Sequence, residues 1–149
     1  MKSFGGPGAD EGHFQTCHGI TVDLRSGKPL LLVCNREAGR MEHWDLDGNL
    51  VAVIQKGLRM PASVYVRGDN VAIAELKGRV TVLGKDNSII AQPGDQPNEG
   101  FRANFGLAPD QWKDGICNSP HGVGIDAQGD VIVSEWSQFG RIEKFKRDK

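Results

Sequence analysis

The chain has little from which to build a disulfide scaffold, a membrane span or a charged docking face. Three cysteines in 149 residues are an odd and sparse set, which excludes a disulfide framework and leaves free thiols as the expectation. No apolar run reaches 18 residues, so no transmembrane helix is expected. The first six residues carry no apolar core of a leader, and a signal peptide is not expected here. The formal net charge is −1. A balance this close to neutral supplies no electrostatic reason to bind nucleic acid or an anionic membrane, and neither is expected as a partner. The compartment stays open.

What is abundant is turn chemistry. Twenty glycines and seven prolines punctuate a chain of 38% apolar content, as short strands joined by many turns require. One domain is the prior for this length, burying roughly 68–70% of the unfolded surface.

The clearest unit runs from Ser119 to Phe145. Val123/Ile125 and Val131/Val133 alternate with small or polar residues across the turn Ala127-Gln128-Gly129-Asp130, and a third run opens at Gly140-Arg141. Period-2 alternation marks strands with one face buried. Such a meander cannot bury its faces alone and should stack on copies of itself. Two copies precede it. The first runs from His18-Gly19-Ile20 through Leu30–Asn35 to Gly39-Arg40, and the second from Pro61-Ala62 through Val71–Glu75 to Gly78-Arg79. The expected fold is therefore an all-β propeller with three four-stranded blades per chain.

The expected boundaries are about 16–55 for blade 1, about 60–92 for blade 2 and about 119–147 for blade 3. An insert at 93–118 breaks the pattern, and Ala108–Trp112 within it reads as a helical turn. Lettering the strands a to d from the inside out, the order is d, abcd, abcd, abc. The unpaired N-terminal run at about 2–4 then matches the fourth strand missing from blade 3. By that arrangement two chains would close one six-bladed ring as a homodimer, removing exposed sheet edges.

These units resemble NHL repeats, and within that class they look most like the lyase domain of peptidylglycine α-amidating enzymes and its bacterial relatives. The residues carrying the likeness are Cys17-His18-Gly19-Ile20, Pro120-His121-Gly122-Val123 and Asn35-Arg36-Glu37-Ala38-Gly39-Arg40. The resemblance implies a zinc ion on the propeller axis with His18 and His121 among its ligands, and Arg36 at the place of the active-site arginine. It also implies cleavage of a peptidyl-α-hydroxyglycine. The family's third histidine and its catalytic tyrosine have no counterpart in this sequence, and Gly122 stands where the family has an acidic calcium ligand.

Several roles stay open at this point. His18 and His121 either hold a metal or line a wet channel as hydrogen-bonded imidazoles. In the dimer each would face a histidine of the second copy. Arg36 either clamps a carboxylate or covers the sheet edge. Asn35, Glu75 and Glu135 end the second strands of their blades and are candidate acceptors for the imidazoles. Asp23 and Asp126 read as turn formers, and His43 belongs to no constellation. Trp136 and Phe139 are candidate pocket walls, and the insert is expected over the axial pocket, with Phe101, Phe105 and Trp112 available to cover it. A metal-dependent enzyme, a peptide- or glycan-binding module and an inactive structural half-propeller are the competing functions.

Overall fold

The computed structural model describes residues 1–147. Over the described residues the chain is all-β, with eleven strands in three antiparallel sheets. Blade 1 comprises β1 (Cys17–Asp23), β2 (Leu30–Asn35), β3 (Arg40–Trp44) and β4 (Leu50–Gln55). Blade 2 comprises β5 (Pro61–Arg67), β6 (Asn70–Glu75), β7 (Arg79–Leu83) and β8 (Ile89–Ala91). Blade 3 has only β9 (Pro120–Ile125), β10 (Val131–Glu135) and β11 (Ile142–Phe145). Each sheet is a simple meander in sequence order. Among the described residues no helix is long and apolar enough to cross a membrane.

Alternation along the strands sorts side chains into two cores between blades. Leu32, Cys34 and Met41 of blade 1 meet Val64, Val71, Ile73 and Leu83 of blade 2. From the opposite face of blade 2, Ala72, Val80 and Val82 meet Cys117, Ile125, Val131 and Val133. Blade 2 is thus covered on both faces. The inner strand β5 packs on β1 at one side and on β9 at the other. Gly19 makes the first of these contacts possible. A Cβ there would sit 2.7 Å from the Ala62 carbonyl oxygen and 2.8 Å from the Ser63 Cα.

The recurring Gly-Arg has a structural cause. Gly39, Gly78 and Gly140 all take left-handed φ, at 61°, 72° and 71°, to start the third strand. That backbone region suits glycine because it carries no Cβ. The arginine that follows points into the blade and neutralises a buried carboxylate. Arg79 binds both oxygens of Glu75, at 2.9 and 2.7 Å. Arg40 binds Glu42 at 2.5 Å, and Arg141 binds Glu135 at 3.1 Å.

In blades 1 and 3 the same arginine also grips the connection leading into the blade. Arg40 donates to the carbonyls of Ala9, Asp10 and His13, and Arg141 to those of Lys113 and Ile116. Both connections close on themselves through a parallel bridge, Pro7 with Phe14 and Gly94 with Ile116. The two connections are therefore alike in being gripped by the blade's arginine and closed by a parallel bridge.

Residues 2–4 form no strand within this chain. Phe4 instead stacks on Trp44 with ring centroids 5.8 Å apart, and the Lys2 ammonium reaches the Asp47 carbonyl. The strand expected there needs an open outer edge. Blade 1 has its own fourth strand, and β11 belongs to the blade at the far end of the array. Among the described residues blade 3 consequently has three strands rather than four.

Candidate functional site

The inner strands deliver His18 and His121 to one place. Their rings lie 5.1 Å apart, centroid to centroid, in an edge-to-face arrangement. Ala62, the second residue of β5 as the histidines are of β1 and β9, lies between them, and its small side chain leaves room for the two imidazoles to meet. The pair forms inside a single chain, whereas the sequence pattern suggested pairing with the partner's histidines. His18 Nδ1 lies 2.6 Å from the Ala62 carbonyl oxygen. A carbonyl only accepts, so the proton sits on Nδ1, and in the neutral ring the Nε2 lone pair is left free. This orientation is the one a metal-ligating imidazole adopts when its other nitrogen is anchored.

His121 titrates below the ordinary imidazole range, first because it is part-buried and then because its own charge would be set against the neighbouring His18 ring and the Arg36 guanidinium. Arg36 is thus electrostatically part of the site, although its guanidinium is bound to Glu37 at 2.9 and 2.7 Å. On the other side Trp136 lies 6.4 Å from the His121 ring and 4.7 Å from Phe105. Trp136 and Phe105 both remain exposed.

The 93–118 segment is ordered by its own ends. Gln96 donates to Asn118 at 2.6 Å, and the Ala103 amide to the Asn118 carbonyl at 2.9 Å. Short 3-10 turns occupy Glu99–Phe101 and Pro109–Gln111. Phe105 and Trp112 lean on the loop after β10, through Trp136 and Phe139. Of the two, Phe105 reaches toward the histidine pair, through Trp136 beside the His121 ring.

The structure places the remaining candidates away from the imidazoles. The Glu75 carboxylate is occupied by Arg79, the Thr81 hydroxyl and the Arg59 amide. Glu135 accepts from the Asn118 amide and Arg141. Asn35 donates to the His13 carbonyl and Glu42 and accepts from the Gln15 amide. All three stitch connections to blades. One network escaped the sequence reading: His43 Nε2 lies 2.8 Å from Asp23, which is also gripped by Arg25. Arg25 reaches on to Gly84 and Asn87 of blade 2. His43 and Asp23 are 20 residues apart, so only the β1–β2–β3 pairing brings them together.

The array and its axial residues define a β-propeller architecture, and comparison with solved structures agrees. Virginiamycin B lyase from Staphylococcus aureus is similar over 89% of this chain and 42% of its own, with TM-score 0.52 and 17% identity. A gluconolactonase from Xanthomonas campestris is similar over 80% of this chain and 34% of its own, with TM-score 0.55 and 16% identity. The computationally designed Ika4 protein is similar over 93% of this chain and 95% of its own, with TM-score 0.53 and 12% identity. The chain therefore spans well under half of the two enzymes and nearly all of the designed protein. These likenesses establish the fold alone. No family profile and no curated protein sequence matches the chain.

Proposed function

We propose that the chain is an NHL-type half-propeller, that two copies close into a six-bladed ring, and that the axial histidines bind zinc. The observation carrying the reading is the His18–His121 contact across Ala62, with the His18 tautomer fixed by a backbone carbonyl. Two imidazoles at the mouth of an inner-strand bundle suit Zn²⁺ at about 2.0–2.1 Å per bond, the remaining positions falling to water or a ligand. Arg36 would supply a cation for a carboxylate on a small molecule or peptide. Relation to the amidating lyases is part of this proposal. Lyase chemistry on the same architecture is consistent with it, since a histidine-to-alanine variant of virginiamycin B lyase is described as catalytically inactive.

Ring closure by a second copy draws support from both ends of the array. Ile20 and Val22 are exposed on blade 1, and Ile132 and Ile142 on blade 3, with Ile142 75% accessible. Among the described residues the strand β11 has no neighbour on its outer side. In the internal case, the residues before Pro93-Gly94 form β8 of the preceding blade. By the same geometry the residues before the 7–14 connection belong on a preceding blade, and a second copy is its proposed source.

The test is zinc stoichiometry by elemental analysis and calorimetry on the metal-stripped chain. Wild type should bind zinc, and His18→Ala with His121→Ala should lose the axial ion. Unchanged binding in that double variant would overturn the metal assignment. Loss of a carboxylate ligand on Arg36→Met, with zinc retained, is the expected mark of the arginine's role.

A further inference from the structure

Blade 3 breaks a charge balance that the other blades keep. In blade 1 a single carboxylate, Glu42, meets Arg40, Asn35 and the Trp44 indole N–H. In blade 2 Glu75 alone meets Arg79, Thr81 and a backbone amide. Blade 3 sets two carboxylates, Glu135 and Glu143, and the Cys117 thiol around one guanidinium.

Glu135 is satisfied, as described above. Glu143 is not. Its side chain is 9% exposed, and Arg141 Nη2 stands 3.3 Å away. Both of its oxygens are buried and accept no hydrogen bond, and Arg141 Nε is left without a partner beside them. Leaving a buried carboxylate without a hydrogen bond, beside a guanidinium it shares with Glu135, is costly. Cys117 is fully buried. One ligand atom from each of Cys117, Glu135 and Glu143 lies within 4.8 Å of the other two.

The thiol is particular to this blade. Cys117 follows Ile116, whose carbonyl Arg141 grips, as Phe14 follows His13, whose carbonyl Arg40 grips, so Phe14 holds the matching place in blade 1. There an aromatic ring fills the space and stacks on Trp44 at 5.3 Å. In blade 3 the same place presents sulfur to two acids.

We propose that Cys117, Glu135 and Glu143 form a buried divalent-cation site of the zinc class, separate from the axial histidines, that fastens the end of the 93–118 segment to blade 3. Thiolate and carboxylate are ordinary zinc donors, at about 2.3 Å and about 2.0–2.2 Å. The three atoms need to close by only a modest side-chain adjustment to reach such distances. Arg141 keeps its place because it is held independently by the Lys113 and Ile116 carbonyls and by the Trp112 ring, 5.0 Å from its centre. It then serves as counter-charge to an otherwise triply anionic ligand set. Binding requires Cys117 to release its proton, so affinity rises with pH.

The probe is Co²⁺ alone, titrated into the metal-stripped full chain and followed by thiolate-to-cobalt charge transfer in the near ultraviolet. At cobalt saturation the band should develop in wild type and in Cys17→Ser, and one equivalent should suffice in the His18→Ala/His121→Ala variant. Cys117→Ser should abolish it, and Glu143→Gln should weaken cobalt binding by at least about tenfold. Glu143→Gln is isosteric and keeps the test valid if Cys117→Ser fails to fold, which circular dichroism reports. A wild type with no charge-transfer band would overturn the proposal. So would a band that survives Cys117→Ser, or unchanged cobalt affinity in Glu143→Gln. Because the histidine variant retains this site, failure here is distinguishable from failure of the axial zinc.

Discussion

Replacing Glu75 by Gln isolates the arginine–carboxylate staple of blade 2. The carboxylate is fully buried and Arg79 nearly so, with side-chain exposures of 0% and 12%. The substitution keeps the shape but removes the charge that two guanidinium nitrogens face. Breaking a buried ion pair by removing one partner costs about 3–5 kcal/mol. The amide oxygen still accepts from one neighbour, which puts Glu75→Gln near the lower end, about 3 kcal/mol. For a chain of this size that corresponds to a fall in Tm of roughly 6–12 °C. Urea unfolding at fixed protomer concentration is the assay, since association would otherwise shift the midpoint. The apolar double variant Glu75→Leu/Arg79→Met should recover most of the loss, because neither charge is then stranded. A Glu75→Gln protein within about 0.5 kcal/mol of wild type, or a double variant as unstable as the sum of its single changes, would refute the staple.

Three further outcomes follow from the geometry. Gly19→Ala should destabilise the chain by about 1–3 kcal/mol in chemical denaturation, because its Cβ meets backbone rather than a flexible side chain; an unchanged midpoint would contradict the close blade 1–blade 2 packing. Burial alone would raise the pKa of Asp23, but hydrogen bonds from Arg25 and His43 hold it at about 2 against an ordinary 3.8. Depressed in the fold, Asp23 contributes about 2 kcal/mol above pH 4, lost as pH falls from about 4 through 2. Asp23→Asn should flatten that acid limb, and an identical limb would contradict it. Of the three free thiols only Cys17 is exposed, so a disulfide-exchange reagent should titrate one thiol promptly in the native protein and three after unfolding.

The blades were legible because each carries local signals. Period-2 apolar runs, turn residues and a left-handed glycine before arginine all act within a few residues, and the observed strands fall on those runs. The helical turn expected near Pro109 is there as a 3-10 turn. Roles that depend on contacts across connections were hidden. Glu75 and Glu135 looked like acceptors for histidine because they end strands beside the axis. Their true neighbours are the arginines that follow in the next strand, and a glutamate–arginine spacing says nothing of direction. The meeting of His18 with His121 in one chain depends on the angle between blades and on the small Ala62, neither of which is written in a motif. The N-terminal run reads as a strand, yet a strand forms only where an edge is free to receive it.

Closure of two half-propellers into one ring is tested most directly by the mass of the intact chain in solution, from size-exclusion chromatography with light scattering at micromolar protomer. A single species of twice the 16.2 kDa chain mass is the expected result. A stable species at 16.2 kDa under those conditions would contradict closure of the ring.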